Sequence, residues 1–221
     1  MANAWLTVAI LTGSPDFAKR GRESSGDGCN RASNPVSDTA VVALAGRRID
    51  AEDADPSRFS SNSIPAVRKR LARLLEQEEA LALVSSAACG SDLIGLEEAE
   101  RIHIRRRIVL PFSREKFRAT SVVDRPGEWG ASFDHLVDLA EEDGDIIILE
   151  QGKDTDAAFA AANKLILHEA KMLAQTMPGG PHRLVAAIVW EGQPRPDNDL
   201  TDDFKTAAVE AGFTLHVVLT N

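Results

Sequence analysis

Ala80-Leu-Ala-Leu-Val84, followed directly by Ser85-Ser-Ala-Ala-Cys-Gly-Ser-Asp92, is the stretch on which the fold turns. An apolar run of this length without polar alternation fits a strand covered on both faces. The small residues behind it permit a tight turn. Leu93, Leu96, Ala99 and Ile102 then recur at helical spacing and predict a helix from about Asp92 to His103. A buried strand running straight into a helix is half of a β–α–β unit, the building block of parallel sheets.

The pattern repeats in both directions. Upstream, Val41-Val-Ala-Leu-Ala45 reads as a first buried strand. Ser63 is placed to cap a helix, Pro65 fits its first turn, and Val67, Leu71, Leu74 and Leu75 share one face. Downstream, Arg107–Leu110 is a third strand ended by Pro111, and helical stretches near residues 113–119 and 130–141 flank a turn at Asp124–Gly127. Asp145–Leu149 is a fourth strand, and a long helix from about Thr155 to Met177 is stopped by Pro178-Gly-Gly-Pro181. Leu184–Trp190, Thr201–Glu210 and Phe213–Leu219 follow as strand, helix and strand. In the last, Phe213, Leu215 and Val217 alternate with Thr214, His216 and Val218, which suits an edge strand with one wetter face. The expectation is an α/β fold of the Rossmann-like kind, a doubly wound, mostly parallel sheet of about six strands with helices on both faces.

The 221 residues suffice for one core, and 43% of them are hydrophobic. Residues 41–221 are the predicted domain. Residues 1–40 read as a flexible leader, rich in Gly, Ser, Asn and Asp beyond residue 13, with residues 5–11 available as an added edge strand. The apolar run Trp5–Leu11 has no basic stretch before it and no small-residue cleavage site after it, and no later run approaches ~18 apolar residues. Neither a membrane span nor a signal peptide is expected, and the location expected is cytoplasmic. Cys29 and Cys89, the only cysteines, do not make a disulfide framework. A formal charge of −9, from 34 acidic and 25 basic residues, argues against duplex nucleic acid as a partner but leaves room for a local basic pocket.

Open parallel sheets bind ligands beyond the carboxyl ends of their strands, so the segments behind each strand are the candidates. Behind the first, Gly46 with Arg47 and Arg48 could set guanidinium forks over a phosphate; the plainer reading is a surface turn with two solvated arginines. Behind the second, Ser86, Ala87, Ala88, Gly90, Ser91 and Asp92 open into a helix. Gly90 would let a backbone approach a ligand, and free amides there suit a phosphate or ribose. The alternative is a tight turn capped by Ser91 or Asp92.

Pro111 and Phe112 follow the third strand, and Glu150, Gly152, Thr155 and Asp156 the fourth. Glu150 and Asp156 are the candidate catalytic carboxylates, suited to ribose hydroxyls or general-base work, although acids at this place are common caps. Trp190, ahead of Gly192, could stack on a base or sit partly buried. Cys89 stands at a helix start, where thiolate is favoured, but no histidine adjoins it. His103, His135, His168, His182 and His216 show no metal-ligand spacing, so no metal is expected.

Taken in order, Gly46-Arg, Ser85–Asp92, Leu110-Pro-Phe112, Phe117, Thr120-Ser121, Phe159–Asn163, Trp190-Glu-Gly192 and Thr201-Asp-Asp203 form a set. It resembles the SLOG superfamily, the Rossmann-like group related to LOG-type phosphoribohydrolases and DNA-processing A proteins. It looks closest to bacterial members found beside, or fused to, signalling and conflict modules. The likeness covers roughly residues 41–219. It implies a pocket for a nucleotide or nucleotide-derived signal, with the strand-two loop as phosphate or ribose cradle and Asn163 among the binding residues. Some members hydrolyse nucleoside monophosphates; others sense nucleotide second messengers in anti-phage defence.

LOG-type enzymes carry Pro-Gly-Gly-x-Gly-Thr-x-x-Glu after the fourth strand. Aligned on Thr155, this chain has Glu150-Gln-Gly-Lys-Asp-Thr-Asp-Ala-Ala158, so only Gly152 and Thr155 match and Ala158 replaces the catalytic Glu. An alanine transfers no proton. The expectation is therefore a nucleotide-binding sensor in bacterial signalling or anti-phage defence, acting on an effector protein or its own homo-oligomer. No cofactor is expected beyond the nucleotide-type ligand. A modified hydrolase using Glu150 or Asp156, and a non-catalytic assembly scaffold, are the alternatives.

Overall fold

The computed structural model describes residues 37–150 and 155–221. The leader as far as residue 36, with its expected edge strand at residues 5–11, and Gly152 lie outside the described residues. The apolar runs form strands and the amphipathic stretches between them helices: β1 (Ser37–Gly46), α1 (Ile64–Gln77), β2 (Ala80–Ser85), α2 (Ser91–Arg101), β3 (Arg105–Leu110), α3 (Arg114–Ser121), α4 (Trp129–Glu142), β4 (Ile146–Ile148), α5 (Asp156–Thr176), β5 (His182–Trp190), α6 (Leu200–Glu210) and β6 (Thr214–Leu219).

The six strands make one sheet in the order β4-β3-β2-β1-β5-β6, and every neighbouring pair is parallel. The two-residue alternation of β1 explains the layering. Ala40, Val42 and Leu44 face a core completed by α1, α2, α3 and α4. Val41, Ala43 and Ala45 face the opposite core, completed by α5 and α6. Burial on both faces is why the central strands carry no polar alternation.

The chain winds outward from β1 to β4 and then reverses. To reach β5 it must cross four inter-strand steps, about 19 Å at ~4.8 Å each. The 21 residues of α5, about 31 Å of helix, cover that span with room to spare. The reversal leaves β1 and β5 side by side in register, Val41 opposite Leu184 and Ala45 opposite Ile188, with their helices on opposite faces. That is the topological switch point.

Details depart from the sequence expectation at the edges. β1 begins at Ser37, ahead of the first apolar residue of its run, and β4 shrinks to three residues. In α1 the face of Val67, Leu71, Leu74 and Leu75 is buried as expected, but Ser63 makes no side-chain cap bond. β6 reverses part of its expected pattern: Val217 is 51% exposed and Val218 only 4%. Val218 joins the core on the α1 side, whereas α6 shields the other face of this edge strand only as far as Leu215. Among the described residues, no helix is long and apolar enough to cross a membrane.

Candidate functional site

A cavity of about 530 Å³ lies over the carboxyl ends of β1, β2 and β5, at the switch point. Its size is that of a small-molecule site. The loop behind β1 contributes residues from Gly46 to Ala51, and the β2 loop gives Ser86, Ala88 and Asp92. One face of α5 gives Asp156, Phe159, Ala162, Asn163 and Ile166, while the β5–α6 connection gives Arg195 and residues 198–201. Among the described lining residues, five arginines meet five aspartates, so the cleft escapes the acidic surplus of the chain without being broadly basic.

Arg47 explains much of that balance, and it is not free to hold a phosphate. Only 3% exposed, its guanidinium donates to Asp199 at 2.6 and 2.7 Å and to Glu191 at 2.7 and 3.2 Å. A further bond reaches the Gln193 carbonyl at 3.1 Å. The planar fork of arginine suits two carboxylates at once, and the pairing fastens the end of β1 to the loop behind β5. Asp199 also caps α6, accepting from the amides of Thr201 and Asp202, and takes the Arg195 amide at 2.7 Å. Burial alone would raise its carboxyl, but the bonds from Arg47 and the Arg195 amide outweigh it and hold the group far below the carboxylate range. Burial is likewise outweighed at Glu191, held low by Arg47 and by Arg58, which also pairs with it.

Arg195 is the contrasting case. Its side chain lines the cleft and makes no ion pair or hydrogen bond among the described residues. The residue is exposed on the rim, where partial desolvation, and then the charge of Arg47, lower its affinity for a proton. An unpaired cation beside other cations is an anion site in waiting.

The small-residue turn behind β2 serves the protein itself more than a ligand. Gly90 has φ +105, and a Cβ there would stand 2.8 Å from the Ile49 nitrogen and 2.9 Å from the Arg47 carbonyl oxygen. The close approach the glycine permits is to the β1 loop, across an antiparallel bridge between Arg48 and Gly90. The Ser91 amide and hydroxyl both donate to the Arg47 carbonyl, and the Leu93 amide to Ala88. These helix-start donors are therefore spent within the fold, and Ala87, Gly90 and Ser91 are not among the cavity residues. Gly46 does line the cavity, but its want of a side chain answers to packing: a Cβ would lie 2.5 Å from the Val189 carbonyl oxygen.

Asp92 stays at the cavity. Burial pushes its carboxyl up to about 7, against the Ala88 amide that donates to it at 3.2 Å, a weak bond from Ser91 and the charge of Arg48. Arg48 pairs with Asp124, and its Nε has no hydrogen-bond partner among the described residues; Arg125, on the same wall, pairs with that Asp124 through its own Nε at 3.5 Å. Cys89 is buried and its thiol is pushed up by that burial, an effect Arg48 only partly offsets, which favours the thiol over the thiolate.

The remaining candidates divide. Asn163 lines the cavity while its amide donates to the Leu200 carbonyl at 3.1 Å, and Asp156 lines it while accepting from Asn198 at 2.8 Å. Glu150, Thr155, Pro111, Phe112, Trp190 and Gly192 are absent from the described lining. Pro111 and Phe112 are core residues, and Glu150 is an exposed residue with φ +50. Trp190 is 5% exposed, with Lys205 Nζ 4.6 Å and the Arg47 guanidinium 5.8 Å from its ring centroid, so the ring is packed against cations and not presented to the cavity. Ala158 is buried in the core. Sequence reading missed Arg195, set between Pro194 and Pro196, and Asp199; both sit in a polar stretch with no motif. Among the described residues no cluster of three or more metal-ligating side chains occurs.

Fold and cleft together define an open, all-parallel α/β protein of the Rossmann-like kind with its cavity at the switch point. Among solved structures, it is similar to DNA processing protein A from Streptococcus pneumoniae, with a TM-score of 0.48 and 16% sequence identity. The match covers 81% of this chain and 50% of that one, so the chain spans about half the length of that protein. No protein-family model and no curated protein matches the sequence.

Proposed function

We propose that this chain binds a phosphate-bearing, nucleotide-type small molecule in the switch-point cleft, and that binding rather than turnover is its task. The observation that carries the reading is the unpaired Arg195 guanidinium at a cavity otherwise balanced between arginines and aspartates. A phosphate there would gain a charge-assisted bond and relieve the repulsion from Arg47. The alkyl side chain at Ala158, where the resembling hydrolases place a glutamate, supports sensing over hydrolysis. The resemblance to SLOG proteins supports a sensor role that reports to an effector protein in bacterial signalling or anti-phage defence.

The test is calorimetric titration of the full chain with AMP, GMP, ADP-ribose, NAD, cyclic dinucleotides and inorganic phosphate, paired with thermal unfolding. A true ligand at ~100 times its dissociation constant adds about 2.7 kcal/mol of stability. Arg195→Ala should remove that gain. Absence of binding and of stabilisation across the panel would sink the proposal.

A further inference from the structure

Arg195 accounts for one end of the cleft; the polar groups over β2 ask for a different chemistry. The Oδ2 of Asp92 accepts the Ala88 amide at 3.2 Å, but its Oδ1 has only the Ser91 hydroxyl at 3.5 Å, and that hydroxyl gives its better bond, 2.8 Å, to Arg47. Ser121, the last residue of α3, is 1% exposed, and its Oγ has no hydrogen-bond partner among the described residues. Both residues line the cavity. Consecutive amides fasten both residues to the β2 loop: Ala88 donates to the Asp92 carboxyl and Cys89 to the Ser121 carbonyl at 3.0 Å. Phe117 and Phe159 line the same cavity and supply an apolar wall. A buried acceptor and a buried hydroxyl left short of partners are costly unless something satisfies them.

We propose that Asp92 and Ser121 form a donor-reading subsite, which receives a neutral hydroxyl or amino group of the bound nucleotide while Arg195 holds its phosphate. The inference rests on the binding reading given above. Asp92 follows β2 and Arg195 follows β5, two strand steps apart in the sheet, about 10 Å. That is the scale of one mononucleotide lying across β1. Burial, which raises the Asp92 carboxyl to about 7, makes the unsatisfied oxygen more expensive to leave bare once ionised and a better acceptor for a donor that arrives with the ligand. Sugar hydroxyls and an exocyclic base amine both supply that donor.

Calorimetry separates these sources. The probes are AMP and GMP, their 2′-deoxy and 3′-deoxy forms, IMP and ribose 5-phosphate, titrated into wild type, Asp92→Asn, Ser121→Ala and Arg195→Ala. Each Asp92 or Ser121 variant should weaken the better-bound nucleotide about tenfold or more. The analogue lacking the group they read should bind wild type and variant alike: a deoxy form if the sugar is read, IMP if the amine is. Arg195→Ala should weaken every probe, ribose 5-phosphate included. If Asp92→Asn and Ser121→Ala bind nucleotides as wild type does while Arg195→Ala fails, the subsite is refuted and the binding site stands. If wild type binds no nucleotide, both are overturned. Circular dichroism of each variant confirms folding, and Ser121→Ala, which removes one oxygen from an unpartnered position, answers for Asp92→Asn should the latter misfold.

Discussion

Replacing Asp92 with asparagine should leave stability nearly unchanged at pH 4 and raise it at pH 8. In the unfolded chain this carboxyl ionises near its ordinary value of 3.8, whereas burial holds it protonated to about 7 in the fold. Below pH 4 both states carry the proton and nothing is lost. Between pH 4 and pH 7 the folded state keeps a proton that the unfolded state has released, so stability falls as pH rises; above pH 7 the loss is complete. A shift of about three units at ~1.36 kcal/mol per unit sets a ceiling of about 4 kcal/mol. Asparagine does not titrate, and its amide oxygen can still accept the Ala88 amide. Urea unfolding of both proteins at several pH values between 4 and 8 gives the difference directly, since other titrating groups cancel. A difference that stays flat across that range would show that Asp92 ionises like a surface carboxylate, and the picture of a desolvated acid at the cleft would be wrong.

Further expectations concern the arginines and the turn. Arg47→Met strands the buried Asp199 carboxylate and takes one of two arginine partners from the half-buried Glu191, and should destabilise the protein by about 3–5 kcal/mol in urea unfolding; a change under ~1 kcal/mol would mean the clamp is solvated. Because Asp199 and Glu191 are held low, their contribution is present above pH ~4 and disappears as pH falls through their folded values, so acid unfolding of wild type should begin only below pH ~4. Gly90→Ala should cost about 1–3 kcal/mol from its backbone conformation alone, with more from the crowded β1 loop; an unchanged unfolding midpoint would contradict the described bridge. Arg195→Ala should stay within about 0.5 kcal/mol of wild type, since the side chain has no described partner to lose, and any larger loss would point to a structural role.

The sheet could be read from the chain because its strands are buried on both faces, which leaves unbroken runs such as Val41–Ala45 and Leu184–Trp190. The reversal that creates the cleft was legible only as a class property, since nothing local in β5 says that it pairs with β1. Edge strands were read less well. Val217 and Val218 swap their expected burial because a helix ending short of the strand, not the strand's own alternation, decides which face is dry. At the site, Gly46, Arg47, Arg48, Ser86, Ala88, Asp92 and Asn163 do line the cavity, as does Asp156. Small residues in the β2 turn carry a sequence signal that two causes share: room for a ligand and room for a neighbouring loop. Gly90 belongs to the second. Arg47 and Arg195 are indistinguishable as letters; what separates them is that one finds two carboxylates from 144 and 152 positions away and the other finds none.

The clamp on Arg47 divides the β5–α6 connection into fixed ends and a replaceable middle. Glu191 at one end and Asp199 at the other are both fastened to the same guanidinium, while residues 193–198 between them stand exposed. Substitutions within that span can exchange the charge at position 195 for another chemistry without loosening either anchor. A lineage, or an engineer, could thus change what the cleft prefers while leaving the frame that shapes it untouched.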